Sequence, residues 1–293
     1  MKQLIVIGGP TASGKTQMAI EVARHFGTEI ISADSRQFYT EMRIGNARPS
    51  DEELAAVPHH FVADRSILQP LSAGRFAEEA LSRLDRIYKD RDVAVATGGS
   101  GLYLKALCEG LDEFPIISPQ ANERVAALEA QGGLLALQQA LHELDPAYYQ
   151  TVDRQNARRL QRALRVCFTE GRAYSSYLGK QTKRPFHSHY FTTAVDRARL
   201  YQRIENRVDE MLSQGLEAEV RSLYSYRELP SLQTVGYREW LPYFSGDYGR
   251  ERAIELINRN SRRYAKRQIT WFKNYIPVRT AEELNVKYRD FNT

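Results

Sequence analysis

The first apolar run, "KQLIVIGG" (2–9), has no alternation and ends in glycine. That pattern predicts a strand buried on both faces. "KTQMAIEVARHF" (15–26) then spaces its apolar positions by three and four, which predicts a helix. "TEIISADS" (28–35) predicts a second short strand. Strand, loop, helix and strand open a βαβ unit. Residues 40–70 hold no sustained period and read as loop. Ser72 is a good N-cap for "SAGRFAEEALSRLDRIYKD" (72–90), an amphipathic helix. "DVAVATGGSGLYLKALCEG" (92–110) predicts another buried strand, a glycine turn and a helix. This half reads as a parallel sheet with helices on its faces.

The pattern changes after Pro115. Residues 119–170 carry helical periodicity and no strand-like run, ending in the polar, turn-rich "TEGRAYSSYLGKQTKRPFHSH" (169–189). "YFTTAV" (190–195) predicts a return to the sheet, followed by helices over about 197–214 and 248–273. The expected fold is α/β, a P-loop-type parallel sheet flanked by helices with an inserted helical domain. Its parts are 1–114 as the first piece of the core, 115–188 as the insertion, and 189–293 as the second piece with a basic C-terminal helix. No internal repeat or low-complexity segment is present.

Composition narrows the class. The chain has 293 residues, 42% hydrophobic and 26% charged, an ordinary globular balance. No apolar run is long enough to span a bilayer, so no membrane is expected. The N-terminal run is too short for a signal peptide and leads straight into a phosphate loop. Two cysteines, Cys108 and Cys167, exclude a disulfide framework and a Cys-rich zinc site, which points to a reducing cytoplasm. The net charge of +5 is modest, so its distribution matters more than its size.

The sharpest motif is Gly9-Pro10-Thr11-Ala12-Ser13-Gly14-Lys15-Thr16, the G-x-x-x-x-G-K-[ST] loop. Its glycines let backbone N–H groups approach phosphates, and the following helix adds its positive end. Lys15 supplies a point charge and Thr16 a hydroxyl for Mg²⁺. The loop cannot see a base, so the owner of the phosphates stays open. A nucleotide hydrolase would carry an acid at the end of a second apolar strand, and "DVAVATGG" has none. The best acid is Asp34, at the end of 28–35. Strand carboxyl ends line the ligand crevice of such sheets, although an acid there also caps turns.

Two basic stretches stand apart. Residues 259–275 hold Arg259, Arg262, Arg263, Lys266, Arg267 and Lys273, interleaved with Tyr264, Trp271, Phe272 and Tyr275. The insertion holds Arg158, Arg159, Arg162 and Arg165. Cations beside flat side chains suit looped RNA. A solvated helix face over core aromatics is the plainer alternative. His59 and His60 are adjacent and point apart on any regular element, which favours shaping a loop over binding metal.

Taken in order, "GPTASGKT" (9–16), "DSRQFY" (34–39), "PHH" (58–60), "GGSGLY" (98–103), "RRLQRALRV" (158–166), "TVGYRE" (234–239) and "AKRQITWFK" (265–273) resemble the tRNA dimethylallyltransferase family, bacterial type, along almost the whole chain. The resemblance implies transfer of a dimethylallyl group from dimethylallyl diphosphate to N6 of the adenosine 3′ to the anticodon. It implies residues 9–16 as the diphosphate cradle with Mg²⁺ at Thr16, and Lys15, Thr11 and Arg207 acting on the leaving group. Asp34 becomes the general base. For tRNA it implies Asp34, Ser35, Arg36, Gln37, Ser100 and Arg124. It adds Arg158, Arg159, Leu160, Gln161 and Arg162 from the insertion, then Gln233, Thr234, Val235, Gly236, Tyr237 and Arg238. The last stretch is Lys266, Arg267, Gln268, Ile269, Thr270, Trp271, Phe272 and Lys273. Ser100 stands where the family usually has threonine, and Arg165 where it commonly has glutamate. The zinc finger of eukaryotic relatives has no cysteines here to form it. A monomer is expected. An ATP-dependent small-molecule kinase, or a P-loop protein that binds RNA without catalysis, would share the loop.

Overall fold

The computed structural model describes residues 1–179, 182–193, 195–275 and 279–280. Lys180, Gln181 and Ala194, the side chain of Tyr275, and the remainder of the 189–293 segment lie outside the described residues.

The first unit is Met1–Glu109 with Arg184–Thr293, and the second is Gly110–Lys183. In the first, β1 (Lys2–Gly8) leads to α1 (Lys15–His25), β2 (Ile30–Ser32), α2 (Asp51–Ala56) and β3 (His59–His60). Then come α3 (Ala73–Asp90), β4 (Val93–Gly98) and α4 (Gly101–Glu109). The second unit holds α5 (Pro119–Leu144), α6 (Pro146–Thr151) and α7 (Ala157–Glu170). The chain returns as β5 (Phe186–Thr192), α8 (Arg197–Ser213), α9 (Leu216–Ser222), α10 (Trp240–Phe244), α11 (Arg250–Tyr275) and β6 (Arg279–Thr280).

The six strands form one sheet in the order β3-β2-β4-β1-β5-β6, with every pair parallel. β1 is central, in register with β4 from Gln3↔Val93 to Gly8↔Gly98 and with β5 from Lys2↔Phe186 to Gly8↔Thr192. Its side chains alternate between two apolar layers. Ile5 and Ile7 join Ile30, Val93 and Val95 under α1, whose Ala19, Ile20, Val22 and Ala23 are buried there. Leu4 and Val6 join Ile31, Ala94 and Ala96 on the other face, with Phe76 and Leu84 of α3 and Phe272 of α11.

Three local features differ from the sequence reading. β5 begins at Phe186 and ends at Thr192, earlier than the expected 190–195. Its first half, "FHSH", is polar and half-open, so apolar counting passes over it. What holds it is the ladder to β1, helped by a 2.6 Å contact between His189 Nε2 and Gln3 Oε1. Within 40–70, α2 forms on a capping box: Ser50 Oγ accepts from Glu53 N, and Glu53 accepts from Ser50 N. Six residues are too few to show a period. His59 and His60 form a short edge strand on β2. His59 Nδ1 faces Val57 O at 2.8 Å and His60 Nε2 faces Glu29 Oε2 at 2.5 Å.

The second unit has its own core of Val125, Leu137, Leu141, Leu160 and Leu164. Its limits, 110 and 183, each fall five residues before the 115 and 188 read from sequence. α5 breaks at Gly133, whose φ of 57° only glycine adopts freely. Asp145 is buried and accepts from Tyr148 N at 3.0 Å, Ser175 N at 2.6 Å and Ser175 Oγ at 2.8 Å. That carboxylate caps α6 and ties it to the 173–176 turn. Among the described residues, no helix is long and apolar enough to cross a membrane.

α11 closes the first unit across the end of β1. A side chain at Gly8 would collide with the Phe272 ring, and one at Gly101 with the Trp271 ring. Phe272 is only 4% exposed. Phe272→Ala is expected to lower the unfolding free energy by about 3–5 kcal/mol, measured by urea denaturation. A loss below about 1 kcal/mol would show that the contact with β1 contributes little.

Candidate active site

Because the strands are parallel, the segments that leave β1, β2, β4 and β5 emerge on one edge of the sheet. The loop after β1 is held by α11. Gln268, 6% exposed, accepts from Thr11 N at 2.9 Å and donates from Nε2 to Gly99 O at 2.9 Å. One buried amide thus fixes the phosphate loop to the β4–α4 turn. Gly14 has φ 87°, which frees the loop to enter α1. A Cβ on Gly98 would run into the carbonyl of Ala33, so glycine lets the ends of β4 and β2 approach.

Lys15 lies against its own loop, donating to Pro10 O at 3.3 Å. Burial of its ammonium pushes its pKa down to about 8; Asp34 opposes that shift and Arg207 adds to it. Arg207, from α8, donates to Thr11 Oγ1 at 3.3 Å. Burial also lowers its pKa, against the pull of Glu210, Glu53 and Asp34. The guanidinium stays charged. Ser13 Oγ is buried with no partner among the described residues.

Asp34 follows β2, half-buried. Among the described residues its Oδ1 accepts a single long bond, from Arg36 N at 3.3 Å, and its carbonyl accepts from Gln37 N at 3.0 Å. Ser35 N donates to Ser100 Oγ at 3.0 Å, and the two hydroxyls are 3.0 Å apart, which joins the β2 and β4 exits. Arg36 lies 4.4 Å from the Tyr264 ring centre and donates to Val235 O at 3.4 Å. Gln37 Nε2 donates to Ala47 O at 3.0 Å.

Two adjoining cavities result. A cleft of about 750 Å³ is lined by the phosphate loop through Thr16, by Asp34 and Arg207, and by 43–51. A smaller cavity of about 70 Å³ is walled by Ile204, Val208, Met211, Val235, Ile257 and Tyr264. Both reach Thr11, Asp34, Asn46, Ala47 and Arg207. The wall at 43–51 was missing from the sequence reading, which left 40–70 as loop. "RIGNARP" could have signalled it, with turn-forming Gly and Asn between two arginines and Pro just after the second.

The residues that the resemblance assigns to RNA divide by exposure. Gln233, Arg238, Lys266, Arg267, Ile269, Thr270 and Lys273 are exposed in the first unit. Thr234, Val235, Gly236, Tyr237, Gln268 and Phe272 are buried, and Trp271 is half-buried. In the second unit Arg158, Arg159 and Arg162 are exposed, Gln161 donates to Glu129 at 2.8 Å, and Leu160 is in the core. Arg124 lies 4.0 Å from the Phe168 ring centre. Among the described residues, no group of three or more His, Cys, Asp or Glu is placed to hold a metal.

Known proteins resemble this chain in sequence and in fold. The IPP transferase family model matches residues 37–275. A tRNA dimethylallyltransferase of Christiangramia forsetii is 48% identical, over 92% of this chain and 90% of its own. One from Flavobacterium psychrophilum is 44% identical over 93% and 91%. The crystal structure of a tRNA isopentenylpyrophosphate transferase from Bacillus halodurans superposes with TM-score 0.72 at 31% identity, covering 99% of this chain and 95% of that one. A eukaryotic dimethylallyltransferase acting on tRNA gives TM-score 0.79 at 24% identity, over 98% of this chain and 76% of that one, a likeness of fold. On the extent of the family match and the identity of these relatives, the chain belongs to the IPP transferase family.

Proposed function

We propose that this enzyme transfers a dimethylallyl group from dimethylallyl diphosphate to N6 of the adenosine 3′ to the anticodon of tRNA and releases diphosphate. One observation carries the reading. A phosphate loop with two half-buried cations, Lys15 and Arg207, shares its cleft with a carboxylate and with an apolar cavity. Alkyl transfer from an apolar diphosphate uses all three: the cations for the leaving group, the carboxylate for the amine proton and the cavity for the hydrocarbon.

In the reaction the N6 lone pair attacks C1 of the donor. The C–O bond breaks, and its electron pair leaves on the diphosphate. The N6 lone pair is delocalised into the ring, so the amine needs a base as the new bond forms. Asp34 takes the N6 proton. The loop N–H groups, Lys15 and Arg207 stabilise the charge that grows on the leaving oxygen. Thr11, bonded to Arg207 and to Gln268, sits at the meeting of the two cavities.

The donor set fits Mg²⁺. Thr16 lines the cleft with its hydroxyl side chain, and among the described residues no group of three or more acids is placed to take the ion, which suits a metal that keeps water and substrate oxygens. Bound there, it would add positive charge beside the diphosphate.

The adenosine must leave the anticodon-loop stack to reach Asp34. Exposed Arg238, Lys266, Arg267 and Lys273, with the Arg158–Arg159–Arg162 face, supply the charge to grip the stem-loop. Cys108 and Cys167 are free and buried, which suits a cytoplasmic enzyme, here read as a monomer.

The reading is tested with purified protein, unmodified tRNA, Mg²⁺ and either dimethylallyl diphosphate or ATP. Mass spectrometry of digested RNA should find prenylated adenosine only with the allylic donor. ATP consumption without prenylation would replace the transferase by a kinase. Asp34→Ala should lower turnover by about 10²–10⁴-fold and leave tRNA affinity largely intact. Turnover within about tenfold of the parent would remove Asp34 as the base.

Diphosphate beside Lys15 raises the pKa that burial holds near 8. Below that pH the ammonium is already charged and affinity is full. Above it, binding must also take up a proton, so affinity falls as pH climbs. Calorimetry should show the Kd of inorganic diphosphate rising by up to about tenfold per unit between about pH 8 and about pH 10. Lys15→Met should flatten that rise, and an undiminished slope would assign it to another group.

A further inference from the structure

Four donors converge on one carboxylate that touches none of the reacting groups. Glu219, in α9, accepts from Arg43 N at 2.8 Å and Ile44 N at 2.7 Å on Oε2. Its Oε1 accepts from Gly45 N at 3.1 Å and from the Tyr237 hydroxyl at 2.6 Å. Three successive N–H groups aimed at one anion make a backbone nest, and bonds to an ionised acceptor are the strong kind.

The two segments so tied both reach the site. Arg43 and Ile44 line the cleft of the phosphate loop, and Gly45 lines the apolar cavity. Val235 and Gly236, next to Tyr237, line that same cavity. The packing leaves no slack between them. A side chain on Gly45 would meet the Tyr237 ring at 2.5 Å and Leu216 at 2.8 Å. Gly236, at φ +95°, has its Cβ position 3.3 Å from Gly45 O. Asn46 Nδ2 donates to Arg36 O at 2.9 Å, and Arg36 reaches Val235 O, so the segment after Asp34 is held by the same knot.

We propose that Glu219 is a positioning residue that couples the two substrate sites, by locking the 43–45 backbone to Tyr237. The inference rests on the transferase reading, which puts tRNA on 233–238 and diphosphate in the cleft walled by 43–51. RNA seated on 233–238 then fixes the cleft wall through the carboxylate. By reciprocity, a ligand in the cleft changes RNA affinity by the same factor.

The test measures the Kd of inorganic diphosphate by calorimetry on the full chain with Mg²⁺, without and with saturating unmodified tRNA. The parent should bind diphosphate at least about fivefold more tightly with tRNA present. Glu219→Gln and Tyr237→Phe should each bring that ratio to about one. Tyr237→Phe keeps the ring in its slot and guards against a variant that fails to fold. A purely structural role would weaken binding and leave the ratio unchanged. An unchanged ratio in both variants overturns the proposal, as does a parent ratio of one. Prenylation by the parent, run alongside, separates the failures. No product defeats the transferase reading, and product with an unchanged ratio defeats only the coupling through Glu219.

Discussion

The site hangs from the parallel ladder that seats β1 between β4 and β5. Parallel pairing sends the chain out of every strand on the same edge, so the phosphate loop, Asp34 and Ser100 meet there although far apart in sequence. The ladder ends at Gly8, opposite Gly98 and Thr192. Glycine at those ends is a packing demand as much as a conformational one, because Phe272 and the Ala33 carbonyl occupy the space a side chain would need. A shift of one residue along β1 would exchange its two apolar faces and carry the loop away from α11.

α11 joins stability and chemistry in one helix. Its inner side buries Ala265, Gln268 and Phe272 against the sheet and the phosphate loop. Its outer side exposes Arg263, Lys266, Arg267 and Lys273. The alternatives of a core helix and a basic face are two sides of the same segment. Gln268 bridges Thr11 and Gly99 with both ends of its amide, so a change on this helix reaches the phosphate loop directly.

The charges of the cleft are arranged at a cost to the free protein. Lys15 and Arg207 lie close enough to depress the Lys15 pKa together with burial, and Asp34 only partly offsets this. Such a pair is poorly matched without an anion and well matched with one. The cleft is therefore preorganised for negative charge, which is where electrostatic catalysis draws most of its strength.

Much of this was legible in the chain. The apolar run before Gly9, the loop to Thr16, the acid at Asp34 and the helical stretch after Pro115 are local patterns, and local patterns follow from side-chain periodicity and turn chemistry. "FHSH" at the start of β5 was not legible, because its strand character comes from the ladder to β1 and not from its own polarity. Nor was the wall at 43–51, whose shape depends on Glu219 from a helix far along the sequence. Within "KRQITWF" and "TVGYRE" the sequence could not separate exposed Arg267 and Arg238 from buried Gln268 and Tyr237, since burial is decided by what packs on a face. By itself the sequence determined the elements, the phosphate loop and the chemical types available. Only the tertiary structure decided which of them share a cavity, because contacts such as Thr11 to Gln268 and Gly45 to Glu219 join residues that no local pattern relates.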